Sequence, residues 1–305
     1  MTDLFENAPS TAVWWPWDVM SEQFGPMLPS DLVTIMASTG SGKTTFVTSA
    51  IMGWIDAKVD LALISTEDSR DQIREKMAAA EAGIPERWLA TRDMSEATKT
   101  QQETFRTTQR MLADVPILGL EDFGEKTLDT LQETIQGAMG WYEDRGRNLQ
   151  LLVLDHLHEI GPRRDENQLD AWAQTVLMLR DVGSRAGVVV VMVAQPKRPA
   201  RETIPAMYRN STIHDARGVP QVETCSKQMF GLRRRLRPMD NKERREAVAD
   251  ISANRSTIHD YAMRPPQTEV ECLKRRIWGE CVHRTANLEL RHGRLVDPNH
   301  VKVPF

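Results

Sequence analysis

The segment Ala37–Thr45, with the sequence ASTGSGKTT, directly follows an apolar run at 32–37. Its two glycines, Gly40 and Gly42, let the backbone adopt left-handed conformations and come close to a ligand. The residues after it have the apolar spacing of a helix. A glycine-rich loop between a strand and a helix is typical of a phosphate-binding loop, with Ala37 in the place of the usual first glycine. The alternative is an ordinary Gly/Ser/Thr turn.

Short apolar runs alternate with helical patterns along the chain before residue 200. Runs that read as strands lie at 32–37, 61–66, 115–120, 149–155 and 188–195. Helical patterns follow the glycine loop and lie at 69–83, 127–144 and 167–186. Nearly continuous apolar strands between helices indicate an α/β protein with a mostly parallel sheet flanked by helices.

The sequence after residue 200 has a different character. Shorter alternating pieces, QMFGL, VECLKR and ANLELRH, predict antiparallel strands added to the C-terminal end of the sheet. The charged stretch at 240–253 predicts a solvated helix. We therefore expect an N-terminal arm over 1–30 and a single domain over 31–305, with the tryptophans of the arm packed on that domain's own core.

Composition sets the broad class. The chain has 305 residues, 40% of them hydrophobic, and a formal charge of −4, all ordinary for a globular protein. Three cysteines give no disulfide framework, and the N-terminus lacks a basic secretory signal. Because an apolar run of ~20 residues is absent from the sequence, we expect a cytoplasmic protein without a membrane partner.

The glycine loop contains the groups that a nucleoside triphosphate requires. Its amides and the start of the next helix would surround the phosphates, Lys43 would reach the β- and γ-phosphates, and the Thr44 hydroxyl would hold Mg²⁺. The predicted cofactors are ATP and Mg²⁺. The predicted binding residues are Ser38, Thr39, Gly40, Ser41, Gly42, Lys43, Thr44 and Thr45.

Carboxylates at two strand ends supply the rest of a hydrolytic site. Asp155 ends the apolar run LLVLD, where it would join the metal shell, although it could also cap a turn. Glu67 follows LALIST and would polarise water, with Asp68 as a competitor for that role. Either of these acids could instead cap the helix that begins near Ser69.

Other polar residues stand beside these strand ends. Gln195 ends the run VVVVMVAQ and would sense the γ-phosphate, with a plain strand-end residue as an equal alternative. His156 and His158 follow Asp155, and we expect them to be ordinary residues beside the strand rather than metal ligands.

The order of these motifs resembles one family. LPSDLVTIMASTGSGKTT resembles the opening of the RecA-like ATPase core of DnaB-type replicative helicases (superfamily 4). LLVLDHLHEI is similar to that family's Walker B strand, and VVVVMVAQPKR to its strand ending in glutamine. The resemblance covers about residues 20 to 298 and implies a RecA-like P-loop NTPase fold. It also implies an ATP-dependent DNA helicase that moves on single-stranded DNA as a hexameric ring.

The resemblance and a local excess of basic residues both indicate a DNA-binding region. STIHDARGVPQVE resembles the family segment that contacts DNA, with Gly218-Val219-Pro220 where a Ser/Gly run is expected. A solvated surface loop is the competing interpretation of the same charges. The predicted DNA-binding residues are Lys197, Arg198, Arg201, Arg209, Arg217 and Gly218.

VECLKRRIWGE resembles the family strand whose Lys-x-Arg pair reaches the nucleotide of the neighbouring subunit. Lys274 and Arg276 would then act in trans, so that assembly completes the active site. An edge strand protected by charge is the alternative.

Several departures from the family leave other functions open. The arm is too short for a primase-binding domain, which suggests a phage or mobile-element protein, and primase, polymerase or a loader are possible partners. One rival function is a RecA- or KaiC-like ATPase that forms filaments or rings without unwinding DNA. Another is a scaffold or regulatory protein that uses ATP as a switch.

Overall fold

The computed structural model describes most of the chain. It covers residues 9–91, 93–164, 166–196, 208, 211–216, 218–236, 242–243, 246, 249–250, 266–275, 284–291 and 293–298. The helices are α1 Asp18–Phe24, α2 Lys43–Asp56, α3 Arg70–Glu81, α4 Glu86–Thr91, α5 Lys99–Ala113, α6 Leu128–Glu143, α7 Gln168–Ala186 and α8 Pro220–Cys225. The strands are β1 Leu32–Ala37, β2 Leu61–Ser65, β3 Ile117–Gly119, β4 Leu151–Asp155, β5 Val189–Ala194, β6 Gln228–Arg234, β7 Gln267–Arg275, β8 Thr285–Arg291 and β9 Arg294–Val296.

All these strands form one sheet in the order β3-β2-β4-β5-β1-β6-β7-β8-β9. The pairs from β3 to β6 are parallel, whereas β6 to β9 pair antiparallel. This confirms the predicted α/β class, the mostly parallel sheet and the antiparallel strands added at its C-terminal end.

Continuous apolar sequence in the central strands has a structural cause. Every residue of β1, β2, β4 and β5 is buried. Alternate side chains of β1 enter different core clusters, Val33 and Ile35 on one face and Leu32 and Met36 on the other. Helices α2 and α3 cover the first face, and α6 and α7 cover the second. A strand between two covered faces needs apolar residues at each position.

The N-terminal arm packs on the first face of the sheet, as expected of its aromatic residues. Trp15 is 3% exposed and lies edge-on to Phe230 of β6, with ring centroids 5.3 Å apart. The indole N–H of Trp17 donates to the Leu295 carbonyl of β9 at 3.0 Å. The contact of Trp17 joins residues from opposite ends of the sequence. The boundary at residue 30 stays a prediction.

Some elements differ from expectation. Strand β3 is shorter than the predicted run at 115–120, because a 3₁₀ helix starts at Leu120. Helices α1, α4, α5 and α8 were not predicted. In α5 the buried residues are Phe105, Thr108 and Leu112, which have helical spacing, but the helix is polar overall and so lacks an apolar run that would mark it. Its N-terminal signal was the capping box of Thr98 with Gln101.

Two further expectations concern the rest of the chain. The predicted helix at 240–253 lies largely outside the described residues. Within the described part of the chain, every helix is too short or too polar to cross a lipid bilayer.

The packing of the arm on α2 gives a testable prediction. A Cβ at Gly53 would lie 2.3 Å from the Cβ of Pro16. We therefore expect Gly53→Ala to lower the free energy of unfolding by about 1–3 kcal/mol, since a buried overlap forces the arm to shift. Chemical denaturation of the purified protein measures this.

The matched control is Gly137→Ala in α6, where a new Cβ meets no described atom within 4 Å. Alanine is the better helix former, so this variant should gain about 0.5–1 kcal/mol. Equal stability of the two variants would show that the arm does not pack against Gly53.

Candidate nucleotide-binding site

The parallel register places four chain segments at one edge of the sheet. Ser65 of β2 pairs with Asp155 of β4, and Met36 of β1 pairs with Ala194 of β5. The glycine loop follows β1, and Glu67 and Gln195 follow β2 and β5. Ligands of open α/β sheets bind beyond these carboxyl ends. The fold therefore brings together residues that are far apart in sequence.

The glycine loop has the backbone geometry of an anion site. Gly40 and Gly42 have φ values of 79° and 95°, in the left-handed region that favours glycine. The Ser41 hydroxyl donates to the Ser38 carbonyl at 2.7 Å and closes the loop. Helix α2 begins at Lys43, so its free N–H groups and positive dipole end lie at the loop.

Lys43 and the two acids after β2 have different surroundings. The Lys43 ammonium is 8% exposed and lies 3.8 Å from the Glu67 carboxylate, which is 45% exposed. Asp68 instead accepts from Lys76 of α3 at 2.8 Å. The cap of α3 is neither acid but Ser69, which accepts from the Gln72 amide. Of the two acids, Glu67 is the one in contact with Lys43.

Asp155 is the most perturbed carboxylate of the site. Burial raises its pKa to about 6, with the charge of Glu67 adding to the effect and Lys43 opposing it. Its Oδ1 is buried and accepts no hydrogen bond from the described residues. A buried carboxylate oxygen without a partner, beside a loop that carries the Thr44 hydroxyl, fits the oxygen shell of Mg²⁺.

The two histidines after Asp155 are more closely involved than the sequence indicated. The Gln195 side-chain amide lies 2.7 Å from Nε2 of His156, and the same nitrogen lies 3.5 Å from the Glu67 carboxylate. The backbone N–H of Gln195 donates to Nδ1 of His158 at 3.1 Å. Burial, with the nearby Lys43 charge, lowers the pKa of His156, so its ring is neutral at pH 7.

The sequence predicted that His156 is an ordinary residue beside the strand, but in the structure its ring lies between Glu67 and Gln195. The signal that could have found it is its position directly after Asp155, at the edge where the strand ends converge. Ligand atoms of Glu67, His156 and Glu159 also lie within 4.8 Å of one another. Exposed acids often form such groups without an ion, so we attach no metal to this one.

One contact to the glycine loop was missed entirely. The Arg234 guanidinium of β6 donates to the Gly40 carbonyl at 3.2 Å. Strand β6 is the neighbour of β1, so its carboxyl end lies beside the loop. The run Arg233-Arg234-Arg235 was the sequence signal, and the position of β6 in the sheet could not be read from it.

The predicted residues for trans contacts and DNA are only partly described. Lys274 of β7 donates to the Glu223 carbonyl of α8 in the same subunit. Gly218 has a φ of 82°, and a Cβ there would meet Leu169 of α7 at 3.5 Å. The other candidates lie outside the described residues: Lys197, Arg198, Arg201, Arg209, Arg217 and Arg276.

A glycine loop before a helix, with acids and a glutamine at neighbouring parallel strand ends, defines a P-loop NTPase with a RecA-like sheet. Comparison with known proteins makes this assignment more specific. The family model of the DnaB-like helicase C-terminal domain matches residues 18–257. The chain belongs to this family.

Individual relatives agree with the family. A replicative DNA helicase DnaB of Nostoc sp. (strain PCC 7120) is 24% identical over 170 residues, which is 55% of this chain and 18% of that protein. This match therefore spans much less than two thirds of the relative.

Two solved structures share the fold at 16% identity. A DnaB-like replicative helicase, whose structure was described together with its interactions with primase, superposes with a TM-score of 0.70 over 97% of this chain and 66% of its own. The ATPase domain of G40P superposes with a TM-score of 0.68 over 91% and 88%. At this identity the likeness establishes the fold alone.

The raised pKa of Asp155 predicts how stability depends on pH when metal is absent. Between its ordinary value of 3.8 and the folded value of about 6, the folded protein binds more protons than the unfolded chain. The contribution of Asp155 to the free energy of unfolding therefore falls as pH rises through this window. In the presence of a metal chelator at pH 7.5, the free energy of unfolding of Asp155→Asn should exceed that of the wild type by about 1–3 kcal/mol, since the substitution removes a buried charge.

This gain should vanish as pH falls from about 6 towards 4, and denaturant unfolding at several pH values measures it. Asp71→Asn is the matched control, because the Asp71 side chain is 77% exposed. Its effect should stay within about 0.5 kcal/mol at each pH. If Asp155→Asn is equally stabilising at pH 4 and pH 7.5, Asp155 does not titrate in this window.

Proposed function

We propose that this protein is an ATP-dependent DNA helicase that moves along single-stranded DNA as a ring. The observation that carries the proposal is the contact of Lys43 with Glu67 at 3.8 Å, at the edge that also holds Asp155. A phosphate-binding lysine beside an exposed carboxylate is the arrangement needed to hydrolyse a bound triphosphate. Membership of the DnaB-like family supports coupling of this hydrolysis to DNA.

The residues at the carboxyl ends of the parallel strands would have separate roles in hydrolysis. The amides of the glycine loop would bind the phosphates, and the Lys43 ammonium would neutralise charge on the β- and γ-phosphates. The Thr44 hydroxyl and Asp155 would hold Mg²⁺, which supplies Lewis-acid charge to the phosphate oxygens. Glu67 is 45% exposed, so water can reach its carboxylate and be polarised by it.

Gln195 is the residue that would report the state of the phosphates. It follows β5 at the same edge and precedes the basic segment that begins at Lys197. Its side-chain amide has two N–H donors, so it can donate to His156 and, at the same time, to an oxygen of the γ-phosphate. Loss of the γ-phosphate would thus change how the end of β5 is held.

Assembly would complete the site. A cation supplied by a neighbour to the γ-phosphate makes a heterologous contact, and such contacts generate a ring when the rotation closes and an open helical filament when it does not. Lys274 and Arg276 would supply it, and the ring would be a hexamer. Lys274 donates a hydrogen bond to the Glu223 carbonyl of its own subunit. It would have to give up this hydrogen bond to reach the γ-phosphate of a neighbour.

DNA would bind through backbone charge. Basic residues outnumber acidic ones in the segment from Lys197 to Arg245. Contacts of this kind lose strength steeply as salt rises. Gly218 and the basic residues before it would line the channel of the ring. We further propose that the protein is cytoplasmic and that its partners include primase, polymerase or a loader.

Strand displacement on a forked DNA substrate tests this function, with Glu67→Gln and Asp68→Asn as a matched pair. Both changes replace a carboxylate by an amide, at adjacent positions. Glu67→Gln should lower ATP turnover by about 10²–10⁴-fold and abolish displacement, because an amide cannot take a proton from water. Asp68→Asn should retain turnover within about tenfold, since the lost contact is to Lys76 and not to Lys43.

The two rival functions predict different results. DNA-stimulated turnover without strand displacement would indicate a filament- or ring-forming ATPase that does not unwind DNA. ATP binding without DNA-stimulated turnover would indicate a scaffold protein. Loss of turnover in Asp68→Asn, with Glu67→Gln active, would exchange the roles of the two acids.

A further inference from the structure

One ring nitrogen of His156 faces two functional side chains of the site. Its Nε2 lies 2.7 Å from the Gln195 amide nitrogen and 3.5 Å from a Glu67 carboxylate oxygen. The His156 side chain is fully buried, with 0% exposure. Water therefore does not compete for this nitrogen, and its bond is made with protein groups.

The ring cannot serve both partners at the same time. An amide nitrogen only donates, so the bond to Gln195 uses Nε2 as an acceptor. A bond to the Glu67 carboxylate uses the same nitrogen as a donor, in the other tautomer of the ring. If Gln195 moves away, Nε2 of His156 no longer accepts from its amide. In the other tautomer, the same nitrogen can then donate to the Glu67 carboxylate.

The backbone holds His156 firmly between these groups. The Thr66 hydroxyl accepts from the His156 N–H at 2.8 Å and donates to its carbonyl at 3.0 Å. Thr66 is also fully buried, and it immediately precedes Glu67. On the other side, Nδ1 of His158 accepts from the Gln195 N–H at 3.1 Å. The ends of β2, β4 and β5 are thus joined through the segment at 155–158.

We propose that His156 is a positioning residue that couples Gln195 to Glu67, so that DNA bound beyond β5 alters the placement of the water-polarising carboxylate. The inference rests on the proposed function, because it assigns a path for DNA stimulation of ATP hydrolysis. His156 touches neither phosphate nor water in this assignment. Its effect passes through the two residues that do.

Two conservative variants separate this role from a structural one. Asparagine places its polar atoms near the position of Nδ1, whereas glutamine reaches the position of Nε2. His156→Asn should lower the ratio of ATP turnover with saturating single-stranded DNA to turnover without it by about tenfold, with the KM for ATP within about threefold of wild type. His156→Gln should restore most of that ratio.

Steady-state ATPase assays with and without DNA measure this, after circular dichroism has shown that each variant is folded. If His156→Asn does not fold, His156→Phe provides the same test, since it keeps a ring in the buried site without a hydrogen-bonding nitrogen. The expected result for His156→Phe is the same loss of DNA stimulation with little change in KM.

Three outcomes overturn the inference. A folded His156→Asn or His156→Phe variant with wild-type stimulation would show that Glu67 and Gln195 are not coupled through this ring. Equal losses in His156→Asn and His156→Gln would show that the residue only supports the fold. Wild-type protein whose turnover does not respond to DNA would overturn the proposed function as well, and this separates the two failures.

Discussion

The hydrogen-bonded register of the parallel strands is the constraint on which the site depends. Pairing of β2 with β4, and of β1 with β5, fixes where each strand ends relative to its neighbour. The glycine loop, Glu67 and Asp155 come from distant parts of the sequence, and only this register brings them to one edge. Because side chains alternate between faces, a one-residue slip would also move each side chain from the core on one face of the sheet to the core on the other.

The site destabilises the fold locally, because it buries charged side chains. Asp155 and Lys43 are almost fully buried, and burial raises the pKa of Asp155 to about 6. Taking charged groups out of water is unfavourable unless they are paired. The surrounding core compensates for this, since all side chains of β1 and β4 are buried between helices. A bound triphosphate with its metal would supply the partners that these groups need.

Much of the architecture could be predicted from sequence, because buried parallel strands are nearly continuous apolar runs in the sequence. The glycine loop and the acids at the strand ends could be predicted for the same reason, because each follows such a run. The bond between His156 and Gln195, and that between Arg234 and the glycine loop, could not be predicted, since both depend on which strands are neighbours. Helix α5 was missed because its buried face is narrow and most of its remaining residues are polar.

The most direct test of the account is calorimetric titration of the protein with an ATP analogue that resists hydrolysis, in the presence of Mg²⁺. Lys43 is 8% exposed and lies at the start of α2, where the phosphates are expected. We predict binding by the wild type and at least about tenfold weaker binding by Lys43→Ala, because a charge-assisted bond to phosphate is lost. Equal affinity of the two proteins, or the absence of binding by both, would contradict the account.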